Sequence, residues 1–135
     1  MKVYVAASSD ELPRAKLWMA RLREAGITVT STWPTTIESV GSANRAGVEP
    51  EQRRVWARSD LVDLDEADWF WLLVPTMSPG RGAYVELGVA WAERKHIISS
   101  GNTTQSIFCS LGMERATDVE ALAELVRAAR ASPHG

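Results

Sequence analysis

The sequence predicts a single α/β domain, spanning residues 1–135, with a doubly wound and mostly parallel sheet of about five strands. Predicted strands and helices alternate along the chain. Residues 69–74 form an unbroken apolar run, which is typical of a strand buried on both faces at the centre of a parallel sheet. A glycine-containing turn at residues 79–82 then separates this strand from a helix that contains Glu86 and continues to Arg94.

Periodicity and turn residues predict the remaining elements. Further strands are predicted at 3–7, 27–32, 95–98 and 107–109, and further helices at 12–25, 49–66 and 118–131. Residues 34–48 are polar and lack periodicity, so we expect either a functional loop or lid there, or a merely unstructured connection. Right-handed crossovers place the first and third strands side by side, giving a flavodoxin- or Rossmann-like three-layer sandwich.

Composition excludes several classes of function. The net charge is −2 and no basic cluster occurs, so we expect neither a nucleic-acid polymer nor a membrane as a partner. Cys109 is the only cysteine, and the two histidines show no metal-ligand spacing, so no metal site is expected. Glycine motifs for dinucleotides or nucleoside triphosphates are missing, and we expect no cofactor. The short N-terminal apolar segment is no signal peptide, which predicts a cytoplasmic protein.

A ligand site is expected beyond the carboxyl ends of the first and third strands, where the strand order of a doubly wound sheet reverses. The turns that follow these strands contain small, polar and basic residues that can bind phosphate or sugar hydroxyls. These candidate binding residues are Ser8, Ser9, Arg14, Ser78, Gly80, Arg81 and Gly82. Capping of the following helix is the common alternative role for the two serines of the first turn.

Glu86 is the candidate catalytic residue of this edge. The positive end of the helix dipole favours its ionised form, and a fixed carboxylate can act as a nucleophile, a base or a sugar anchor. Simple compensation of the helix dipole is the competing explanation. Trp33 and Trp56 are added as candidate substrate-binding residues because apolar patterning explains them less well than the other tryptophans.

With these residues assembled, the chain resembles the nucleoside 2-deoxyribosyltransferase-like family over roughly residues 1–109. The resemblance rests on the segments 2–8, 56–61, 67–68 and 82–88, and the last, Gly-Ala-Tyr-Val-Glu-Leu-Gly, is the most specific. Members of this family, which include deoxynucleoside 5′-monophosphate N-hydrolases, cleave the N-glycosidic bond of nucleosides or nucleotides. They transfer the sugar to another base or to water.

The resemblance implies a role for three residues. Glu86 matches the family's nucleophile, which forms a glycosyl-enzyme ester at the anomeric carbon. Tyr4 matches the tyrosine that positions this carboxylate, and Asp60 matches the carboxylate that exchanges a proton with the leaving base. The chemistry is coherent, because departure of a base leaves oxocarbenium character that a carboxylate can capture.

The chain also departs from the family pattern. The transferases carry a base-recognising aspartate six residues before the nucleophile, where this sequence has Gly80. Relatives that hydrolyse nucleoside monophosphates use a serine in this loop, and Ser78 lies nearby but out of register. The family completes its site with an asparagine from a neighbouring subunit, for which segment 102–106 is the nearest candidate. The resemblance therefore implies a homodimer or higher homo-oligomer.

Three alternatives remain open at this point. The loop also resembles that of phosphoribohydrolases that release cytokinin-type bases, although those chains are longer. A non-catalytic nucleotide-binding or sensor domain would retain the pocket without turnover. A glycohydrolase of an NAD-like dinucleotide would also use a glutamate on a related sheet.

Overall fold

The computed structural model describes residues 1–40 and 47–131. The strands are β1 (Lys2–Ala6), β2 (Thr28–Val29), β3 (Trp69–Leu73), β4 (His96–Ser100) and β5 (Met113–Arg115). The helices are α1 (Leu12–Glu24), α2 (Trp33–Val40), α3 (Pro50–Asp65), α4 (Arg81–Ala92) and α5 (Asp118–Ala131). Within the described residues, no helix combines the length and apolarity needed to cross a membrane.

All five strands are parallel, in the order β2-β1-β3-β4-β5, which confirms the predicted doubly wound sheet with β1 beside β3. The apolar run of β3 is buried on both faces, as its sequence predicts. On one face Phe70 stacks on Tyr4 with ring centroids 5.9 Å apart. On the other face Trp71 packs against Trp18 of α1 at 6.0 Å. The core therefore extends through both layers that flank the sheet.

The second strand is shorter than the predicted span 27–32. Val5 donates its backbone N–H to Ser31 Oγ at 2.6 Å, and Ser31 Oγ in turn donates to Val5 O at 3.1 Å. Because the Ser31 hydroxyl pairs with both the N–H and the C=O of Val5, backbone pairing between β1 and β2 ends early. Ser31 is buried, so this pairing replaces hydration as well as a backbone hydrogen bond.

The prediction of a loop over residues 34–48 was wrong in its first part, where α2 begins at Trp33. Pro34 suits the start of a helix because its missing N–H has no intrahelical partner there. Thr35 N donates to Thr32 O at 3.1 Å and closes the first turn. Residues 41–46 of the predicted loop lie outside the described residues, so the lid remains a prediction.

The fifth strand was predicted at 107–109 and lies instead at Met113–Arg115. The apolar residues 107–109 belong to a 3-10 turn, in which Ile107 is 82% exposed. Gly112 allows β5 to approach β4, because a Cβ at this position would lie 2.5 Å from Ile97 O. A short apolar triplet was therefore mistaken for the edge strand that follows it.

Candidate active site

A cavity of about 590 Å³ opens at the carboxyl edge of the sheet, beyond β1 and β3. The turn after β1, the start of α2, one face of α3 and the beginning of α4 form its wall. Most of the predicted site residues line this cavity: Ser8, Ser9, Trp33, Asp60, Ser78, Gly80, Arg81, Gly82 and Glu86. The topology thus brings together side chains that are up to 78 positions apart in the sequence (86 − 8).

Tyr4 and Glu86 form the central contact of the site. The Tyr4 hydroxyl, which comes from the buried strand β1, donates a hydrogen bond to Glu86 Oε2 in the second turn of α4. Stacking on Phe70 fixes the tyrosine ring, with the two ring planes 8° apart. A rigid donor therefore holds the Glu86 carboxylate in one orientation at the cavity wall.

Burial raises the pKa of Tyr4 far above its ordinary value, and the negative charges of Glu86 and Asp60 raise it further. The phenol therefore keeps its proton throughout the neutral range. In this state Tyr4 is a hydrogen-bond donor to a carboxylate and not a base. The influence of both carboxylates on the same hydroxyl also places Asp60 and Glu86 in one electrostatic environment.

Asp60 is the carboxylate of the acidic segment of α3 that lines the cavity. Asp63, one turn further on, accepts a hydrogen bond from Thr32 N at 3.1 Å and another from the Thr32 hydroxyl. This contact attaches the start of α2 to α3. The two aspartates therefore have different roles, one at the cavity and one in the connection between helices.

The two turns beneath the cavity are connected by a hydrogen bond between Ser8 Oγ and Ser78 Oγ, which are 2.6 Å apart. Helix α4 begins at Arg81, directly after Gly80, which provides no side-chain cap. The first N–H groups of an uncapped helix are hydrogen-bond donors at its positive end. Hydroxyls, a guanidinium and a helix N-terminus at one cavity wall can together bind an anion such as phosphate.

Gly80 is required by the backbone. Its φ is 62°, in the left-handed region that favours glycine. A Cβ here would lie 2.1 Å from Pro75 Cγ, which is too close for any side chain. A carboxylate at this position would therefore need a different loop conformation.

Two predicted binding residues, Arg14 and Trp56, are not among the residues that line the cavity. The Arg14 guanidinium is held by Asp118, with Nε 2.8 Å from Oδ2, and it donates to Val74 O at 2.7 Å. These contacts hold the Arg14 guanidinium against the backbone directly after β3 and against the start of α5. Trp56 lies beside the cavity face of α3 rather than on it, since that face is formed by Ala57, Asp60 and Leu61.

Sequence analysis missed several residues that line the cavity: Ala7, Asp10, Ala57, Leu61, Pro79, Ala83 and Val85. Ala57 could have been found, because it precedes Asp60 by three positions and shares its helix face. Val85 and Leu61 are adjacent in sequence to Glu86 and Asp60, but their apolar side chains give no signal of a functional role. Asp10 directly follows the two serines of the first turn, but sequence analysis assigned it no role at the site.

No protein-family model and no curated protein sequence matches the chain. Several solved structures are similar in fold. A conserved protein from Enterococcus faecalis V583 superposes with a TM-score of 0.65 at 15% identity, covering 95% of this chain and 98% of the other. The CMP N-glycosidase BcmB from Clostridium botulinum gives a TM-score of 0.55 at 22% identity, covering 93% and 97% respectively.

A third similar structure is a 2-deoxyribosyltransferase from the psychrotolerant bacterium Bacillus psychrosaccharolyticus. Its TM-score is 0.55 at 22% identity, and the superposition covers 74% of this chain and 72% of that one. The chain therefore has a nucleoside 2-deoxyribosyltransferase-like fold.

Proposed function

We propose that this protein is an N-glycosidase that cleaves the bond between base and sugar in nucleoside 5′-monophosphates. The hydrogen bond from Tyr4 to Glu86, at a cavity that Asp60 also lines, carries this proposal. A purely nucleotide-binding domain has no need for a carboxylate fixed by a buried phenol. The fold shared with a CMP N-glycosidase and a 2-deoxyribosyltransferase is consistent with this chemistry.

The proposed reaction has two steps. Glu86 attacks the anomeric carbon while the bond to the base nitrogen breaks, and Asp60 donates a proton to the departing base. Asp60, now deprotonated, then accepts a proton from water, whose oxygen attacks the same carbon and releases Glu86. Tyr4 stays protonated and orients Glu86 for the attack, and its hydrogen bond strengthens as Glu86 becomes a carboxylate again in the second step.

Two features favour a 5′-monophosphate over a free nucleoside. Ser8, Ser78 and Arg81 supply donors at one wall of the cavity, beside the N-terminus of α4. Position 80 is a glycine and adds no negative charge to this wall beyond that of Asp10, which also lines the cavity. We infer that the phosphate binds at this wall and that Trp33, which also lines the cavity, contacts the base or sugar.

The test of this function is a chromatographic assay for free base. Nucleosides, 2′-deoxynucleosides, their 5′-monophosphates and NAD are each incubated with the protein, with and without a second base. We expect base release from at least one monophosphate and slower release from the matching nucleoside. Exchange with the added base would instead show a transferase, and binding of a nucleotide without any product would show a non-catalytic domain.

Tyr4→Phe tests the donor to Glu86. We expect kcat to fall about 10- to 100-fold, the value of one hydrogen bond to a charged group. The ring and its stacking on Phe70 remain, so KM should change little. Steady-state kinetics and a thermal melt of the variant provide the measurement. An unchanged kcat in a folded variant would show that this hydrogen bond has no role in turnover.

We also propose that a second copy of this chain covers the outer surface of α3 and α4. Of the 16 residues of α3 only Leu64 is buried, and a helix of this length is marginal without packing. Val62 is 58% exposed and, on α4, Val85 is 66% exposed. A partner on this surface would also cover Leu61, which lines the cavity.

Charge favours a second copy as the occupant. The first nine residues of α3 contain Arg53, Arg54 and Arg58 against one acidic residue, Glu51, and its last three residues include Asp63 and Asp65. Two such helices that pair antiparallel about a twofold axis place basic residues against acidic ones. In such a dimer, segment 102–106 of the partner remains the proposed source of a donated site residue.

Sedimentation equilibrium tests the dimer. We expect a mass of twice 14.8 kDa for the wild-type protein at micromolar concentration. Val62→Arg should give monomer, because it buries a charge in an apolar contact. Val119→Arg is the matched control, since Val119 is 63% exposed on α5 and should tolerate the same change. A monomeric wild-type protein, or a dimeric Val62→Arg variant, would contradict this interface.

A further inference from the structure

The loop between β3 and α4, residues 74–80, is attached to the rest of the chain at successive positions. Val74 O accepts a hydrogen bond from Arg14 Nη1 at 2.7 Å. Pro75 O accepts one from Gln105 Nε2 at 2.5 Å. The loop therefore leaves the sheet with its first two carbonyls held by side chains from different parts of the fold.

The next attachment joins Thr76 to Glu11. The Thr76 hydroxyl donates to Glu11 Oε1, and Thr76 N donates to Glu11 Oε2 at 3.3 Å. Ser78, two residues later, reaches Ser8 at 2.6 Å. The segments 8–11 and 76–78, both of which contribute residues to the cavity wall, are thus joined by two pairs of side chains.

Glu11 differs from Asp10, the other acidic residue of its segment, because Asp10 is exposed and Glu11 is only 8% exposed. Burial of a carboxylate is unfavourable unless hydrogen bonds and an opposite charge compensate. Thr76 supplies two hydrogen bonds, and Arg14 Nη1 lies 3.5 Å from Glu11 Oε1. Thr76 itself is exposed, so packing of its side chain does not explain the contact.

We propose that Glu11 is a positioning residue for substrate binding: through Thr76 it fixes the loop so that Ser78 meets Ser8 at the anion-binding wall. This inference rests on the proposed function, since it assumes that a phosphate binds there. A loop ordered before binding has less conformational entropy to lose when the substrate arrives. The contact should therefore affect KM, while the chemical step at Glu86 is unchanged.

The experiment changes Thr76 rather than Glu11, because removal of a buried carboxylate beside Arg14 could prevent folding. Thr76→Val keeps the shape of the side chain and removes its hydroxyl, and Thr76→Ser keeps the hydroxyl. With the best nucleoside 5′-monophosphate, we expect Thr76→Val to raise KM about 10-fold with kcat within twofold. Thr76→Ser should restore the wild-type KM.

Thr28→Val, an exposed threonine on β2, is the matched control and should leave both constants unchanged. The affinity for the same nucleotide is also measured by calorimetry in the Glu86→Ala background, where no turnover occurs. We expect the double variant Glu86→Ala with Thr76→Val to bind about 10-fold more weakly than Glu86→Ala alone. Equal affinity and equal KM for Thr76→Val and wild-type protein would overturn the positioning role while leaving the proposed function intact. A wild-type protein that neither binds nor cleaves any monophosphate would overturn the proposed function, and this inference with it.

Discussion

Replacing Glu86 with alanine is expected to abolish base release, with kcat lower by roughly 10⁴-fold or more, as for the loss of a catalytic nucleophile. The Tyr4 hydroxyl would lose its carboxylate acceptor, and no other group would capture the anomeric carbon. The measurement is single-turnover release of base from a 5′-monophosphate. A fast-quenched wild-type sample should also contain a sugar-phosphate adduct, by mass spectrometry, on the peptide that includes Glu86.

Glu93→Ala is the matched control for this experiment. Glu93 is an exposed glutamate directly after the last residue of α4, so its loss should leave kcat unchanged. Release by Glu86→Ala at the wild-type rate would exclude Glu86 as the nucleophile. An adduct on a different carboxylate, such as Asp60, would assign the covalent step to that residue.

The place of the candidate site at the carboxyl edge of the sheet could be predicted, because it depends on a sheet topology that the sequence encodes strongly. The apolar run of β3 and the alternation of elements determine a doubly wound sheet, and this topology brings the ends of β1 and β3 together. Glu86 then follows from its place on α4, whereas Tyr4 was assigned a role only through the resemblance to a family. Asp60 was distinguished from Asp63 only by the resemblance to a family, since helical periodicity alone leaves both possible.

The edge strands β2 and β5 were less predictable, because the conformation of their residues depends on tertiary contacts rather than on local sequence pattern. Ser31 shortens β2 through a side-chain contact with Val5, and β5 follows an exposed apolar triplet that resembles a strand. Arg14 was interpreted as a ligand-binding residue because it follows the first turn. Its partner Asp118 is 104 positions away, and no local pattern indicates such a pair.

The contacts of Asp118 explain why that pair should matter for stability. Arg14 donates to both of its carboxylate oxygens, at 2.8 and 2.9 Å, and Ser100 Oγ donates to Oδ1 at 2.7 Å. Trp71 Nε1 donates to Ser100 Oγ at 2.8 Å and connects the cluster to the core of the sheet. The side chains of Arg14 and Asp118 are 18% and 15% exposed, so water replaces these contacts poorly.

Asp118→Asn is therefore expected to lower the free energy of unfolding by about 2–3 kcal/mol at pH 7, and the melting temperature by roughly 5–10 °C. The amide nitrogen would face the Arg14 guanidinium, and a mostly buried positive charge would lose its nearer carboxylate partner and keep Glu11, at 3.5 Å. Glu24→Ala is the control, because the Arg21–Glu24 pair is 49% and 63% exposed and contributes about 0–1 kcal/mol. Equal melting temperatures for Asp118→Asn and Glu24→Ala would contradict the assignment.

The same substitution has a defined dependence on pH. Burial opposes ionisation of Asp118, but the hydrogen bonds from Arg14 and Ser100 and the charge of Arg14 outweigh it, so the pKa lies below its ordinary value. A group with a lowered pKa in the folded state stabilises the protein above its unfolded pKa, about 4, and loses this contribution as the pH falls through the folded value. The difference in unfolding free energy between wild-type protein and Asp118→Asn should thus be constant from about pH 5 to 8 and shrink below about pH 4. Urea denaturation at a series of pH values measures it, and a difference that instead grows towards acid pH would show that Asp118 is not held ionised by Arg14.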